Sequence, residues 1–385
     1  MPTNYYRSSS SSITRIRRSI LSMKQDSAAH SIDNYTHQFT SQEHELEAFQ
    51  KEVTQRFHKL SLVESHELLS VSWISKILDV FLCCQEQFRV VLTNNKSYLS
   101  KQPMEKSIFD YFERSVKGLD ICNAIRDGID EMRQWQKQLE IVLYVLGNQS
   151  ALGESQFRRA KRVLDNLENK IVDEKESSSN LAQRNRSIDQ KDLKNQGHRC
   201  SKQSRSLSWP ASRQLLAMGN NIVVPKGNDI IATNGLVSAI YTMTRVLHFV
   251  MWALVVAITC KDHGLQSHFN NTLKNFAWWV PMNSLEERIL QEYKKRDKSN
   301  SCGLLKEIHM IESFACFMNR FIDSVQFPLT KEHKEEAKKR FEELKIVYES
   351  LKNGLDPLER QVRSVFHQII LCRIEGLNSN TRRHN

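Results

Sequence analysis

Residues 72–92 read SWISKILDVFLCCQEQFRVVL. Ile74, Ile77, Leu78, Phe81, Phe88 and Val91 recur at steps of three and four, or multiples of them, and form one stripe of an α-helix. Trp73 and Val80 lie off that stripe. A helix that is apolar on more than one side is covered by other helices, so this segment belongs at the centre of an α-helical core.

Upstream, Leu46, Phe49, Val53, Phe57 and Leu60 keep the same spacing on a helix that the pattern starts near Gln42. Downstream, Cys122, Ile125, Ile129, Met132, Leu139, Leu143 and Leu146 hold a heptad register over about 105–147, with polar Gln136 in one core slot. A shorter helix follows at about 154–172. In the second half, Ser284-Leu285-Glu286-Glu287 has capping-box spacing and predicts a helix start. A seam runs from Leu304 through Ile308, Ile311, Ala315, Met318 and Ile322 to Val325 and stops at Pro328. Ala337, Phe341, Leu344, Tyr348 and Leu351 make another. Asp356-Pro357 reads as an N-cap with proline at the first helical position. It would start a last helix with Leu358, Val362, Val365, Ile369 and Cys372 inside. Scarce glycine (12) and proline (7) suit long helices with few tight turns.

These patterns predict an all-α chain of two helical bundles with heptad-type packing. They give a disordered tail at 1–40, an N-terminal bundle at 41–172 and a flexible linker at 173–213. A C-terminal bundle at 214–376 and a short tail at 377–385 complete the chain. Charge follows this division. The net charge is +11. Residues 1–30 carry Arg7, Arg15, Arg17, Arg18 and Lys24 against Asp26, and 177–213 carry eight basic residues against Asp189 and Asp192. The bodies of the helices are nearly neutral. Basicity confined to polar segments suits an anionic membrane surface better than a nucleic-acid groove, and Arg15, Arg17, Arg18 and Lys24 are the candidate lipid-binding residues.

The chain carries no HExxH, GxSxG, phosphate-binding or dinucleotide fingerprint. The eight cysteines have no metal-ligand spacing, and His198 and Cys200 have no second pair nearby. The reading is therefore a protein without catalytic residues, cofactor, metal or small-molecule substrate. With no secretory leader at its start, a cytoplasmic setting is the expectation.

Two segments carry sharper expectations. Residues 246–260, VLHFVMWALVVAITC, would make about 22 Å of helix, against a hydrocarbon core of roughly 30 Å. Extension to Leu236 gives spanning length but takes in Arg245 and His248. An arginine at mid-membrane costs roughly 2.5–3.5 kcal/mol, which the neighbouring apolar residues nearly offset. Val246, Leu247, Phe249, Val250, Met251, Trp252, Leu254, Val255 and Val256 are thus either a core helix or a single-pass membrane helix. The second segment is Arg205-Ser206-Leu207-Ser208-Trp209-Pro210, which matches the RSxSxP mode. Phosphorylation there, at Ser206 or Ser208 with Arg205 and Pro210 alongside, would create a site for 14-3-3 adaptors.

Several runs resemble the plant BYPASS-related family, which includes the Roh proteins. They are Ser72-Trp73-Ile74 through Asp79-Val80-Phe81-Leu82-Cys83-Cys84, Leu119-Asp120-Ile121-Cys122-Asn123-Ala124, and Arg158-Arg159-Ala160-Lys161-Arg162. Ser206 through Gly219-Asn220-Asn221 and Phe249-Val250-Met251-Trp252-Ala253-Leu254-Val255 are similar as well. The resemblance implies a plant protein with no known enzymatic activity. Roh members are associated with the exocyst through its seventy-kilodalton subunits, and BYPASS members with a root-derived signal that restrains shoot growth. It also implies a transmembrane helix in some members at the segment matching 246–260.

Overall fold

A computed structural model describes residues 32–147, 153–167, 208–259, 275–296 and 304–381. Among them are helices and turns and no strand. In chain order the helices are α1 (Ile32–Ser61), α2 (Val71–Asn94), α3 (Lys96–Leu99), α4 (Met104–Gly147) and α5 (154–167). Then come α6 (Ser208–Gly219), α7 (Gly227–Ala232) and α8 (Leu236–Leu254), which runs on as a π-helical turn, Val255–Thr259. The last three are α9 (Trp279–Arg296), α10 (Lys306–Ser324) and α11 (Lys331–Thr381).

The stripe that opened the sequence reading sits at the centre. Trp73, Ile74, Ile77, Leu78, Phe81 and Phe88 are all fully buried on α2. Helix α1 folds back on α2, bringing the Phe49 and Phe88 rings to 6.0 Å. On the far side Tyr111 of α4 stacks edge-on to Phe88 at 5.1 Å and donates its hydroxyl to the buried Gln85 at 2.9 Å. Helix α11 lies along both α2 and α4. It runs antiparallel to α4, with Gly376 against Phe112 and Gly147 against Phe341. It runs parallel to α2, where Gly354 meets Val71 and Arg89 pairs with Glu375 at 2.8 Å.

The two halves of the chain pack on one another. Residues of both halves contribute to one continuous apolar core, and α11 makes its most extensive contacts with α4 and α2. The reason is geometric. Helix α2 is apolar on several sides, and α8 and α11 of the other half pack on it alongside α1.

Local boundaries shift for similar reasons. Helix α1 starts at Ile32 rather than near Gln42. The predicted linker ends earlier, at α6, where Ala211, Leu215 and Met218 are buried. Pro210 falls in the first turn of α6, where no N–H is needed. The box at Ser284 lies inside α9, which begins at Trp279, and Glu287 accepts a bond from Asn283 Nδ2 at 2.7 Å instead of closing the box. Asp356-Pro357 starts no helix, since α11 runs through it unbroken. An interior proline costs about 3 kcal/mol or more. Tertiary packing offsets it here, because Leu355 and Leu358 are buried on either side. Gln136 is only half-buried, and the neighbouring Trp135 fills the core. The predicted tail at 377–385 begins as helix, since α11 continues to Thr381.

One junction fastens these elements. Ser70 caps α2 by accepting the Trp73 N–H at 3.1 Å. The Val71 N–H, also in the first turn, points at Glu307 and lies 3.2 Å from each carboxylate oxygen. The same carboxylate accepts the Ser350 hydroxyl of α11 at 2.9 Å. The Lys306 N–H donates to the Leu69 carbonyl at 2.9 Å, while Leu304 and Leu305 donate to the carbonyls of Val256 and Ala257 at the end of α8. Gly354 closes the junction, because a Cβ there would lie 2.6 Å from Val71 Cγ1.

A second clamp joins α4 to α11 beside Pro357. Arg133 reaches Asp130 at 2.6 Å, Asp356 at 2.7 Å and Glu359 at 2.6 Å. Hydrogen bonds from Arg133, then from Arg363, hold the Glu359 carboxyl below the ordinary glutamate range.

Replacing Glu307 by alanine leaves the Val71 N–H buried without an acceptor, and urea unfolding is expected to show a loss of about 1–3 kcal/mol. Glu359→Gln is expected to cost about 1 kcal/mol at pH 7. A depressed carboxyl stabilises the fold above its unfolded pKa and loses that effect as pH falls through its folded one. The gap between wild type and Glu359→Gln in urea melts should therefore close as the pH is taken below about 4.5, the ordinary glutamate value.

Candidate functional site

Among the described residues, Leu236–Ile258 is the one helix long and apolar enough to cross a membrane. All of the candidate membrane residues, Val246 to Val256, lie in the core, none more than 1% exposed. Helix α8 is covered by α4, α2, α1 and α6. Phe57 of α1 packs edge-on to Phe249 at 5.6 Å, and Leu247 of α8 lies against Gly118 of α4. Polar groups on α8 find polar neighbours inside the protein. Thr242 bonds to Gln50 Nε2 at 2.8 Å and accepts Trp278 Nε1–H at 3.0 Å. Burial draws the Arg245 guanidinium below the ordinary arginine range, and Tyr241 and Glu286 counter it. His248 lies beneath Gly219, whose missing side chain admits it, since a Cβ would stand 3.0 Å from Nε2.

Arg15, Arg17, Arg18, Lys24, Arg205 and Ser206 lie outside the described residues. Ser208 and Pro210 fall in the first turn of α6. The thiols of Cys84, Cys122 and Cys372 are each pushed up to about 12 by burial and stay protonated at neutral pH, as core hydrophobes do.

The surface feature that sequence reading missed is a cleft of about 690 Å³ on the N-terminal half of α4. Its far wall is the non-helical segment between α6 and α7, and Ile240, Tyr241 and Thr244 of α8 form part of its lining. Arg114 fixes that wall. Its Nε donates to the Met218 carbonyl at 3.2 Å, and one terminal nitrogen donates to the Asn220 and Asn221 carbonyls, each at 3.1 Å. These are end carbonyls of α6 and its turn, which the helix itself leaves unbonded. Asn221 takes a left-handed conformation, with φ of 57°, and the chain turns out of α6. The signal was present in the sequence. Asn220-Asn221 followed by Ile222-Val223-Val224-Pro225 is a β-branched run between turn residues.

Known proteins match most of this chain. The model of the family described as "Protein ROH1-like" matches residues 6–380. The chain belongs to the ROH1-like family. Protein ROH1D of Arabidopsis thaliana is 47% identical over 384 residues, covering 95% of this chain and 96% of the relative. Protein ROH1A of the same plant is 31% identical over 376 residues, covering 87% and 90%. UPF0496 protein 4 of Oryza sativa is 22% identical over 271 residues, covering 70% of this chain and 52% of its own. No solved structure matches. The ROH1-like match takes in α1 to α10 and all but the last residue of α11, so the shared core and the cleft both fall within it.

Arg114→Gln is expected to release the wall of the cleft. Loss of charge-assisted bonds to three carbonyls should cost about 1.5–3 kcal/mol in urea unfolding. Amide hydrogen exchange should speed up around Asn221 to Val224, while amides in the middle of α2 keep their protection.

Proposed function

We propose that this ROH1-like protein is a non-enzymatic adaptor that binds a seventy-kilodalton exocyst subunit through its helical body and so modulates secretion or developmental signalling. The family match over residues 6–380 carries the reading, because Roh proteins resemble this chain in sequence and are associated with that subunit. The charged side chains described above support it, since Glu307, Arg133 and Arg114 are all engaged in holding the fold. In this reading the protein is cytoplasmic and meets membranes peripherally. Arg15, Arg17, Arg18 and Lys24 would add about 1 kcal/mol of attraction each near an anionic lipid surface.

A single-pass anchor through 236–260 is the second reading. It would require stripping α8 from the helices that cover it, and Arg245 and His248 would enter lipid. Regulation through Ser206 or Ser208 is compatible with the adaptor reading. Because Ser208 opens α6, an adaptor of 14-3-3 type that grips extended chain would have to unwind its first turn.

The test is saturable binding of the purified full chain to each seventy-kilodalton exocyst paralogue by biolayer interferometry. Binding to at least one supports the adaptor, and binding to none overturns it. Alkaline carbonate extraction of membranes from plant cells should release the tagged chain, whereas retention in the pellet would favour the anchor.

A further inference from the structure

The segment Ile222–Pro225 is irregular, non-helical chain between two helices. Ile222 and Val224 pack against the core, while Val223 between them is 73% exposed. Side chains that alternate in this way leave the backbone N–H and C=O groups projecting sideways, along the edges of the segment. In these four residues those groups make no hydrogen bond to backbone or side chain among the described residues. A β-branched run with free edges is the template that an extended peptide pairs with. Here the template is held at both ends. Arg114 grips the Asn220 and Asn221 carbonyls on one side, and Pro225 leads into α7 on the other.

The segment borders the cleft along α4, so a peptide paired to it would lie in that cleft. The charges there choose the peptide. Arg114 is occupied by carbonyls, and Glu113 pairs with Arg373 at 3.6 Å. Asp110 is electrostatically coupled to Arg114. Lys106, Lys117 and Lys226 remain, and none of them forms an ion pair among the described residues. With Arg114, the three lysines outnumber Asp110, Glu113 and Asp229 in the lining, and that balance favours a negative ligand.

We propose that the edge of Ile222–Pro225, with Lys106, Lys117 and Lys226 around it, receives an extended acidic segment of a partner protein by main-chain pairing. Pairing supplies the main-chain bonds, Val223 offers an apolar contact, and the lysines select acidic side chains at alternate positions. The site goes beyond the exocyst reading, since its chemistry fits any acidic extended segment and its test uses no exocyst subunit.

The test uses the full chain and a short acetylated peptide of alternating glutamate and valine, labelled for fluorescence anisotropy. Saturable binding is expected, with slower hydrogen exchange at Val223 and Val224. Methylating alternate peptide amides, to block pairing, should weaken binding by about tenfold or more, the loss of one or two hydrogen bonds. A double Lys106→Glu, Lys117→Glu variant should weaken it comparably. Lys106 is exposed and Lys117 half-buried on α4, and an unchanged thermal melt confirms that the variant folds. Three results would each overturn the proposal. One is no saturable binding. Another is equal binding of the methylated peptide, or of a helix-forming glutamate–alanine peptide of the same charge, which would reduce the effect to bulk electrostatics. The last is protection of Val223 and Val224 by phosphatidylserine vesicles but not by the peptide, which would make the cleft a lipid site.

Discussion

The carboxylate of Glu307 holds together parts of the chain that are hundreds of residues apart in sequence. It accepts the N–H of Val71 and the hydroxyl of Ser350, so α2, α10 and α11 meet at one group. The first-turn N–H groups of a helix have no partner within the helix. Val71 is only 2% exposed, so water cannot serve its N–H, and an acceptor must come from elsewhere in the fold. The residues just before Glu307 add to the constraint. Leu304 and Leu305 donate to Val256 and Ala257, which ties the end of α8 to the same junction. With α2 and α8 located, α4 and α11 have defined surfaces to cover, and Gly354 and Gly376 mark where close approach is needed.

Much of the helical architecture was legible in spacing alone. The stripe on α2 and the seam from Leu358 to Cys372 are buried as their periodicity requires, because burial of an apolar face is what periodicity records. What sequence did not show are the outcomes of competition between distant segments. A proline after aspartate is a sound start signal, yet α11 continues through Pro357 because buried leucines and the Arg133 clamp act on both sides of it. Gln136 sits in the heptad slot by counting, yet Trp135 takes the core, since a helix facing several neighbours does not keep one seam. The division into two bundles followed from the polar linker. The linker separates two lengths of sequence, but their apolar faces still need each other.

The candidate sites divide along the same line. The apolar run 246–256 is conspicuous in sequence because it is central in space, and the polar Arg245 and His248 are buried with it. The cleft is inconspicuous in sequence. It depends on a short irregular segment and on lysines spread across α4 and the start of α7, which become neighbours only once Arg114 has drawn the turn after α6 onto α4. Family membership extends over both features, so a binding surface shared among ROH1-like proteins could use either helices or the irregular wall between them.

The position of α11 also has a consequence for biosynthesis. It leaves the ribosome after α1 to α10, yet it covers α2 and α4. About 280 residues separate Val71 from Gly354, and at a translation rate of roughly 5–20 residues per second their meeting is delayed by about 14–57 s. Through that interval the apolar faces of α2 and α4 that α11 will cover remain open. The chain cannot finish its N-terminal half before its C-terminal half is made, so nascent chains need protection from chaperones. A premature stop anywhere before α11 would yield a sticky fragment in place of a smaller working protein.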